Sequence, residues 1–441
     1  MTFDVVQSLD NSHNVSIEGA QACCWIKAKD QESAFIKAKF LVECDEWVIT
    51  HFNMEIVEVN RSMFTGRHTG LKQYDLAELN GTSVYYVAWS ESIEEESEFE
   101  LKIKKKSNLG LYYKERKNIL KKGKCLHFDS GEACDQIINA HSIQRNQSLN
   151  QIARYGHVYQ ISKKFHGPDL SIKYELEGIN KASTFLGFCK KHDNEIFEPI
   201  DNRPLTPTNE EVFLYAYRSI CREILVKSNA LDLSISKACS FSQDCAEKKL
   251  IENIIEGTSV GLANLLEIKG QYDNSIKLGN FTDVKYVIFH CKEKPNLAFS
   301  GLFYPDYDFY GGHLQNLADL NEKLSLLTFC SAPMLNGWGF VIAWYQENSG
   351  ICDVFINSLG QIINDQHSVE DALFRLVISC CENHAFSPLW WEQLDISSKE
   401  LIFNRITEVI DPLTPIDPKY LTKGLESIID WSFENVFTNI H

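Results

Sequence analysis

The sequence predicts an α+β protein built from several domains. Three observations lead there. At 441 residues the chain is longer than one ordinary hydrophobic core takes up. Stretches with apolar residues at helical spacing are interspersed with short β-branched and aromatic runs of strand character. A sharply charged segment, followed by a patch rich in cysteine and histidine, divides the chain internally.

Residues 1–90 read as a small α+β domain. GAQACCWIKAKD has strand character and runs into a turn, and QESAFIKAKFLVECD fits a helix through Ala34, Phe35, Ala38, Phe40 and Leu41. WVITHFNMEIVEVN and TSVYYVAWSES read as further strands. A β-α-β-β order of this kind predicts a ferredoxin-like half-sandwich. It carries no catalytic cluster, so an interaction or regulatory role is expected of it.

Residues 91–124 read as a charged linker. Six glutamates in ESIEEESEFE meet ten lysines or arginines against one glutamate in LKIKKKSNLGLYYKERKNILKKGK. Opposite charges of this kind form either a self-attracting solvated linker or a basic surface for phosphate, carried by Lys104, Lys105, Lys106, Lys121 and Lys122.

Residues 125–203 hold the chemistry-bearing module, and 204–280 form a helical scaffold. There Thr208 and Glu211 have capping-box spacing. Phe213, Leu214, Tyr217, Ile220, Cys221, Ile224 and Leu225 then recur on one helical face. A second helical stretch covers about 235–268. Residues 281–441 read as a C-terminal α+β domain, in which Trp390 and Trp391 after Pro388 are expected as core or contact residues.

Composition narrows the function classes. With 44% hydrophobic and 23% charged residues, the chain has a globular profile. No apolar run approaches the ~20 residues of a membrane span. MTFDVVQSLDNSHN lacks the basic start and apolar core of a secretory signal. A cytoplasmic protein with no membrane partner is expected. Its 14 cysteines are then expected to be reduced, most of them, such as Cys221 and Cys330, serving as small core residues. A net charge of −17 excludes coating nucleic acid by overall charge. The chain has no G-x-S-x-G elbow, no phosphate-binding G-x-x-x-x-G-K-S/T loop, no HExxH and no fixed-period repeat.

Cys125, Cys134, Cys189 and His192 stand apart because their surroundings are polar and histidine-rich. Zinc takes four tetrahedral cysteine or histidine ligands, commonly as two close pairs. Cys125 and Cys134 make one pair, with Gly131 and Glu132 to turn the chain between them. Cys189-Lys-Lys-His192 makes the other, its two ligands three apart at a helix start. His127 is a substitute ligand should one cysteine be unused.

The order of these residues resembles the HNH, or His-Me finger, endonucleases with a treble-clef zinc. Asn139-Ala140-His141-Ser142-Ile143 matches the end of the first strand of that family's ββα-metal unit. Phe188 to Phe197, FCKKHDNEIF, matches its C-x-x-H stretch where the helix begins. The resemblance implies a zinc-bound ββα module with structural Zn²⁺. It implies His141 as the general base on water and Asp193 as the ligand of a catalytic Mg²⁺ or Mn²⁺. Ala140 stands where many members have a metal-binding aspartate, Ser183 and Thr184 where an asparagine is usual, and Asp193 where the last histidine falls. His157 and Arg145 are accessory candidates near the same cleft.

Two functions follow from these readings. One is a metal-dependent nuclease acting on phosphodiesters of DNA or RNA, in host defence against foreign DNA if it follows multidomain members of the resembled family. The other is a non-catalytic zinc-stabilised protein that binds nucleic acid or a protein partner through its basic segment or its terminal domains.

Overall fold

The computed structural model describes residues 1–7, 19–45, 47–53, 56–89, 116–131, 134–166, 169–239, 246–317, 319–410 and 414–440. The chain forms two compact units, Met1–Ser107 with Glu408–Asp417, and Asn108–Thr407 with Pro418–His441. Its mixture of helices and several sheets bears out an α+β protein. No helix among the described residues is long and apolar enough to cross a membrane.

In the first unit, strands β1 (Thr2–Gln7), β2 (Gly19–Ile26), β3 (Trp47–Phe52) and β4 (Thr82–Trp89) form an antiparallel sheet in the order β3-β1-β2-β4. Helix α1 (Gln31–Cys44) starts where the Asp30 carboxylate accepts from the Ser33 N–H at 2.7 Å. Helix α2 (His68–Asn80) ends at Gly81, whose φ of 83° is the left-handed closure that glycine allows. Ala38 and Val42 of α1 pack with Phe3, Val5, Ala20, Ala22 and Cys24. Ala77 of α2 packs with Cys23, Trp25 and Phe64 on the opposite face.

This corrects the ferredoxin-like expectation. The order is β-β-α-β-α-β, with one helix on each face of the sheet, whereas a ferredoxin-like half-sandwich gathers its helices on one face. The cause is visible in β2. Ala20, Ala22, Cys23, Cys24 and Trp25 are all buried, so both faces of the strand need cover.

In the second unit, an antiparallel sheet runs in the order β14-β9-β12-β11-β10-β13-β6-β7. Its strands are β6 (His157–His166), β7 (Asp169–Gly178), β9 (Val284–Cys291), β10 (Leu297–Phe303), β11 (Leu327–Met334), β12 (Gly337–Tyr345), β13 (His384–Phe386) and β14 (Phe433–Thr438). A separate pair joins β5 (Ile137–His141) to β8 (Thr184–Cys189), and helix α3 (Lys190–Phe197) follows directly.

The long helices α4 (Asn209–Cys239) and α5 (Ala246–Leu278) pack on each other. The first half of α4, from Val212 to Leu225, is almost wholly buried and shares one core with Phe188, Phe197, Ile288, Cys330 and Val341. Its start departs slightly from a capping box. Thr208 Oγ1 accepts from the Glu211 N–H at 3.3 Å, and the Glu211 carboxylate reaches back to the N–H of Thr206 at 2.7 Å.

The expected segments 125–203 and 204–280, and 281–441 apart from Glu408–Asp417, lie in one unit. Ala385 of β13 pairs with Gln160 of β6, so the hairpin between β5 and β8 extends the sheet of the C-terminal region. Trp390 and Trp391 pack against Phe386, with ring centroids 5.3 and 4.9 Å away, as core and contact residues. Lys104, Lys105 and Lys106 lie outside the described residues, as does most of the charged segment.

Candidate metal centre and the histidine beside it

The segment before β5 is laced onto β8. The Lys124 N–H donates to Leu186 O at 2.9 Å and the Leu126 N–H to Gly187 O at 2.8 Å. A side chain at Gly123 would collide with Ile137, so only glycine permits this approach. Cys125 is thereby fixed beside the end of β8. The chain turns at Gly131, where φ is 149°, and returns Cys134 to the same point. There the Gly131 N–H donates to Cys134 Sγ at 3.3 Å.

The other pair sits where β8 becomes α3. Cys189 is the N-cap of this helix, and its Sγ accepts from the His192 N–H at 3.5 Å. One turn of helix then brings the His192 ring back over the cap. The Sγ atoms of Cys125, Cys134 and Cys189 lie 3.4, 3.6 and 3.3 Å from His192 Nδ1. Tetrahedral zinc, with Zn–S of ~2.3 Å and Zn–N of ~2.0 Å, sets a sulfur and a nitrogen ligand ~3.5 Å apart. The four ligand atoms all lie within 4.8 Å of one another, in a set that could hold a metal ion such as zinc.

Electrostatics at the cluster are divided. Burial pushes the Cys125 thiol up to about 11. Burial acts the same way on Cys189, but backbone hydrogen bonds from His192 and Asp135 and its thiol neighbours outweigh it and hold the group low. A cap position favours the thiolate, because the first N–H groups of a helix present partial positive charge.

His127 is not part of the set. Its ring stacks on His192 with centroids 4.0 Å apart and 6° between planes, and its Nδ1 accepts from the Asp129 N–H at 3.0 Å. It therefore walls the site instead of ligating.

His141 ends β5 and is half-buried. Its Nε2 lies 2.9 Å from the carbonyl oxygen of Ile179. A carbonyl only accepts, so Nε2 carries the proton and Nδ1 carries the lone pair. Burial pulls the imidazole below its ordinary pKa, the Ile179 bond pushes it up, and Arg145 and Arg218 depress it further. Ser183 fastens the next turn, and its backbone φ of 57° is in the left-handed region.

Asp193 lies in the first turn of α3, buried, and its Oδ1 has no hydrogen-bond partner. Burial pushes its carboxyl up to about 6, Arg218 pulls it down and Asp201 pushes it up. Arg218, 3% exposed, pairs with Asp201 at 2.9 Å and lies 4.0 Å over the Phe197 ring. Among the described residues, Cys125, Cys134, Cys189 and His192 form the one group of three or more metal-ligating side chains.

Arg145 is exposed and donates to Asn146 and Asn180 at 3.2 Å. His157 is exposed, and its Nδ1–H donates to Tyr155 O at 2.9 Å. Lys121 and Lys122 are exposed just before the first cysteine.

Sequence reasoning passed over Ile179, Asp201 and Arg218, and named Ser183 only as standing where the resembled family has an asparagine. One signal was available for Arg218, an arginine inside the otherwise buried run VFLYAYRSIC. Comparison of the chain with known protein families, characterised proteins and solved structures gives no match.

Proposed function

We propose that the chain is a metal-dependent nuclease of the HNH, or His-Me finger, type, hydrolysing phosphodiesters with His141 as general base. The observation that carries this reading is the 2.9 Å bond between His141 Nε2 and Ile179 O. It holds one tautomer and one ring orientation, and it leaves Nδ1 to take a proton from water. Depression of its pKa keeps the ring neutral near pH 7, the state a base needs.

The chain order adds support. Two cysteines and β5 come first, then, after the inserted β6–β7 hairpin, its partner β8 and helix α3, with the second ligand pair at the start of the helix. In this reading the zinc cluster is structural, pinning the β5–β8 pair to α3.

The divalent ion implied by the resemblance would rest on Asp193, whose Oδ1 is unpartnered. One carboxylate suffices for Mg²⁺ when substrate phosphate oxygens complete its shell. Such an ion supplies positive charge against the leaving oxygen.

A second reading, a non-catalytic zinc-stabilised binding protein, draws on Arg218. Its guanidinium acts on Asp193 and already offsets that carboxylate's charge.

The deciding experiment is cleavage of single-stranded and duplex DNA and RNA by zinc-loaded protein with Mg²⁺ or Mn²⁺. Wild type is expected to cut and His141→Ala to lose at least a hundredfold, the usual contribution of a positioned base being about 10²–10⁴-fold. Intact substrates in every arm sink the catalytic reading.

A further inference from the structure

Beyond the zinc cluster and His141, the most unusual residue near the candidate site is Tyr155. It is 89% exposed, the most exposed large hydrophobic side chain among the described residues. It sits in a two-residue hairpin turn. Arg154 and His157 exchange both backbone hydrogen bonds at 3.0 Å, and Tyr155 and Gly156 between them have φ of 51° and 72°.

Turns of this kind favour Asn-Gly, because both positions need positive φ. A tyrosine in the first position costs about 1–2 kcal/mol of backbone strain, and here it recovers little by burial. Neither folding nor turn chemistry accounts for the choice.

The turn is tied to the candidate base. The Ile179 N–H donates to Gly156 O at 3.0 Å, and the Ile179 carbonyl accepts from His141 Nε2 at 2.9 Å. A single residue thus anchors both the turn and the imidazole. The Arg154 guanidinium lies 5.4 Å from the Tyr155 ring and is itself held by Glu392 at 2.8 Å. The ring is therefore presented on a stiff support, polarised by a cation, with most of its surface in water.

We infer that Tyr155 is a stacking platform for an unpaired nucleobase of a single-stranded polynucleotide whose backbone passes His141. Bases stacked within a duplex do not offer a free face to a lone ring, whereas unpaired bases stack on exposed aromatics with little regard to sequence. Arg145, exposed four residues after His141 and close enough for its charge to act on that imidazole, is the candidate partner for the adjoining phosphate. The inference rests on the reading of His141 as a base in a nuclease and names the form of its substrate.

The test is binding of fluorescein-labelled oligothymidine and oligouridine to zinc-loaded, full-length protein, followed by anisotropy without divalent metal. A fully paired DNA hairpin serves as the third probe. Tyr155→Ala is expected to weaken at least one single-stranded probe about tenfold, and Tyr155→Phe to stay within about twofold of wild type. Hairpin binding is expected to be unchanged, with zinc content and melting temperature held. Unaltered binding of both single strands by Tyr155→Ala, or an equal loss on the hairpin, overturns the inference.

Cleavage by His141→Ala separates this from the nuclease reading. If that variant cuts as wild type does while Tyr155→Ala loses single-strand binding, catalysis by His141 falls and the platform stands. If His141→Ala is dead while Tyr155→Ala binds normally, the platform alone falls.

Discussion

The Ser183 hydroxyl accepts a hydrogen bond from the backbone N–H of Ile143 at 3.1 Å. This bond reaches from the residue before β8 to the turn just beyond His141. Ser183 Oγ also lies 2.7 Å from Ser142 Oγ, which in turn accepts from Asn383 Nδ2 at 2.8 Å. A buried polar chain therefore spans from β13 to the end of β5. Ser183→Ala leaves the Ile143 N–H buried without a partner, and the expected cost is about 1–3 kcal/mol. Ser183→Gly loses the same hydroxyl but relieves the left-handed backbone, so it should do no worse than alanine. Apparent urea midpoints of the two variants check both statements. A wild-type midpoint for Ser183→Ala would show that the bond carries no stability.

Cys189 combines two roles that substitution can separate. It is a candidate zinc ligand and the cap of α3. Protein purified with zinc is expected to carry the metal in equimolar amount, and both Cys189→Ser and Cys189→Ala are expected to lose it. Serine is a good N-cap and alanine a poor one, so after chelation the serine variant should remain more stable by about 1 kcal/mol. Elemental analysis with thermal melts in the presence and absence of a chelator measures both effects. Full zinc content in Cys189→Ala would remove the residue from the site.

The Cys125, Cys134, Cys189 and His192 cluster was legible because its signals are local. C-x-x-H at a helix start needs only one turn of helix to converge, and the glycine at 131 marks the return of the chain to Cys134. The alternative role for His127 followed from composition alone, and its stacking on His192 is a tertiary fact. Strand β1 was missed because TFDVVQ is short, and helix α2 because HTGLKQYDLAELN shows only a faint apolar face. The continuation of the C-terminal sheet into β6 and β7 was beyond sequence reasoning. It depends on β13, three residues long, pairing with residues more than two hundred positions earlier. Local propensity carries no trace of that register.

Arg218 ties together the acidic groups beneath the candidate site. Its side chain is almost fully buried, while Asp201 keeps partial contact with solvent, so water offsets part of the loss when the pair is broken. Arg218→Ala should cost about 2–3 kcal/mol, because it removes the charge partner of Asp201 and the cation over the Phe197 ring. Arg218→Lys keeps the charge without the planar fork and should fall between wild type and alanine. Apparent denaturation midpoints decide the order. A lysine variant no better than alanine would mean that guanidinium geometry, not charge, is what the site uses.

Acid stability offers a test away from the candidate site. His384 is fully buried, donates from Nδ1 to Cys381 O at 2.5 Å and accepts at Nε2 from the Tyr174 hydroxyl at 2.6 Å. Both nitrogens are thus committed to the neutral ring. Burial brings its pKa down to about 4, against the upward pull of the Cys381 carbonyl and the Glu382 charge. In the unfolded chain it titrates near ~6.5. Between those values the unfolded chain binds a proton that the folded chain refuses. Stability is therefore complete above about pH 6.5, falls as pH drops toward 4, and loses about 3 kcal/mol over that window from this group. Thiolate ligands protonate in acid as well, so the wild-type curve alone mixes two causes. The comparison that isolates His384 is with His384→Gln, which does not titrate. The variant starts less stable at pH 7 but should lose less between pH 6.5 and pH 4. Parallel curves for the two proteins across that range would mean that His384 accepts its proton without loss of the fold.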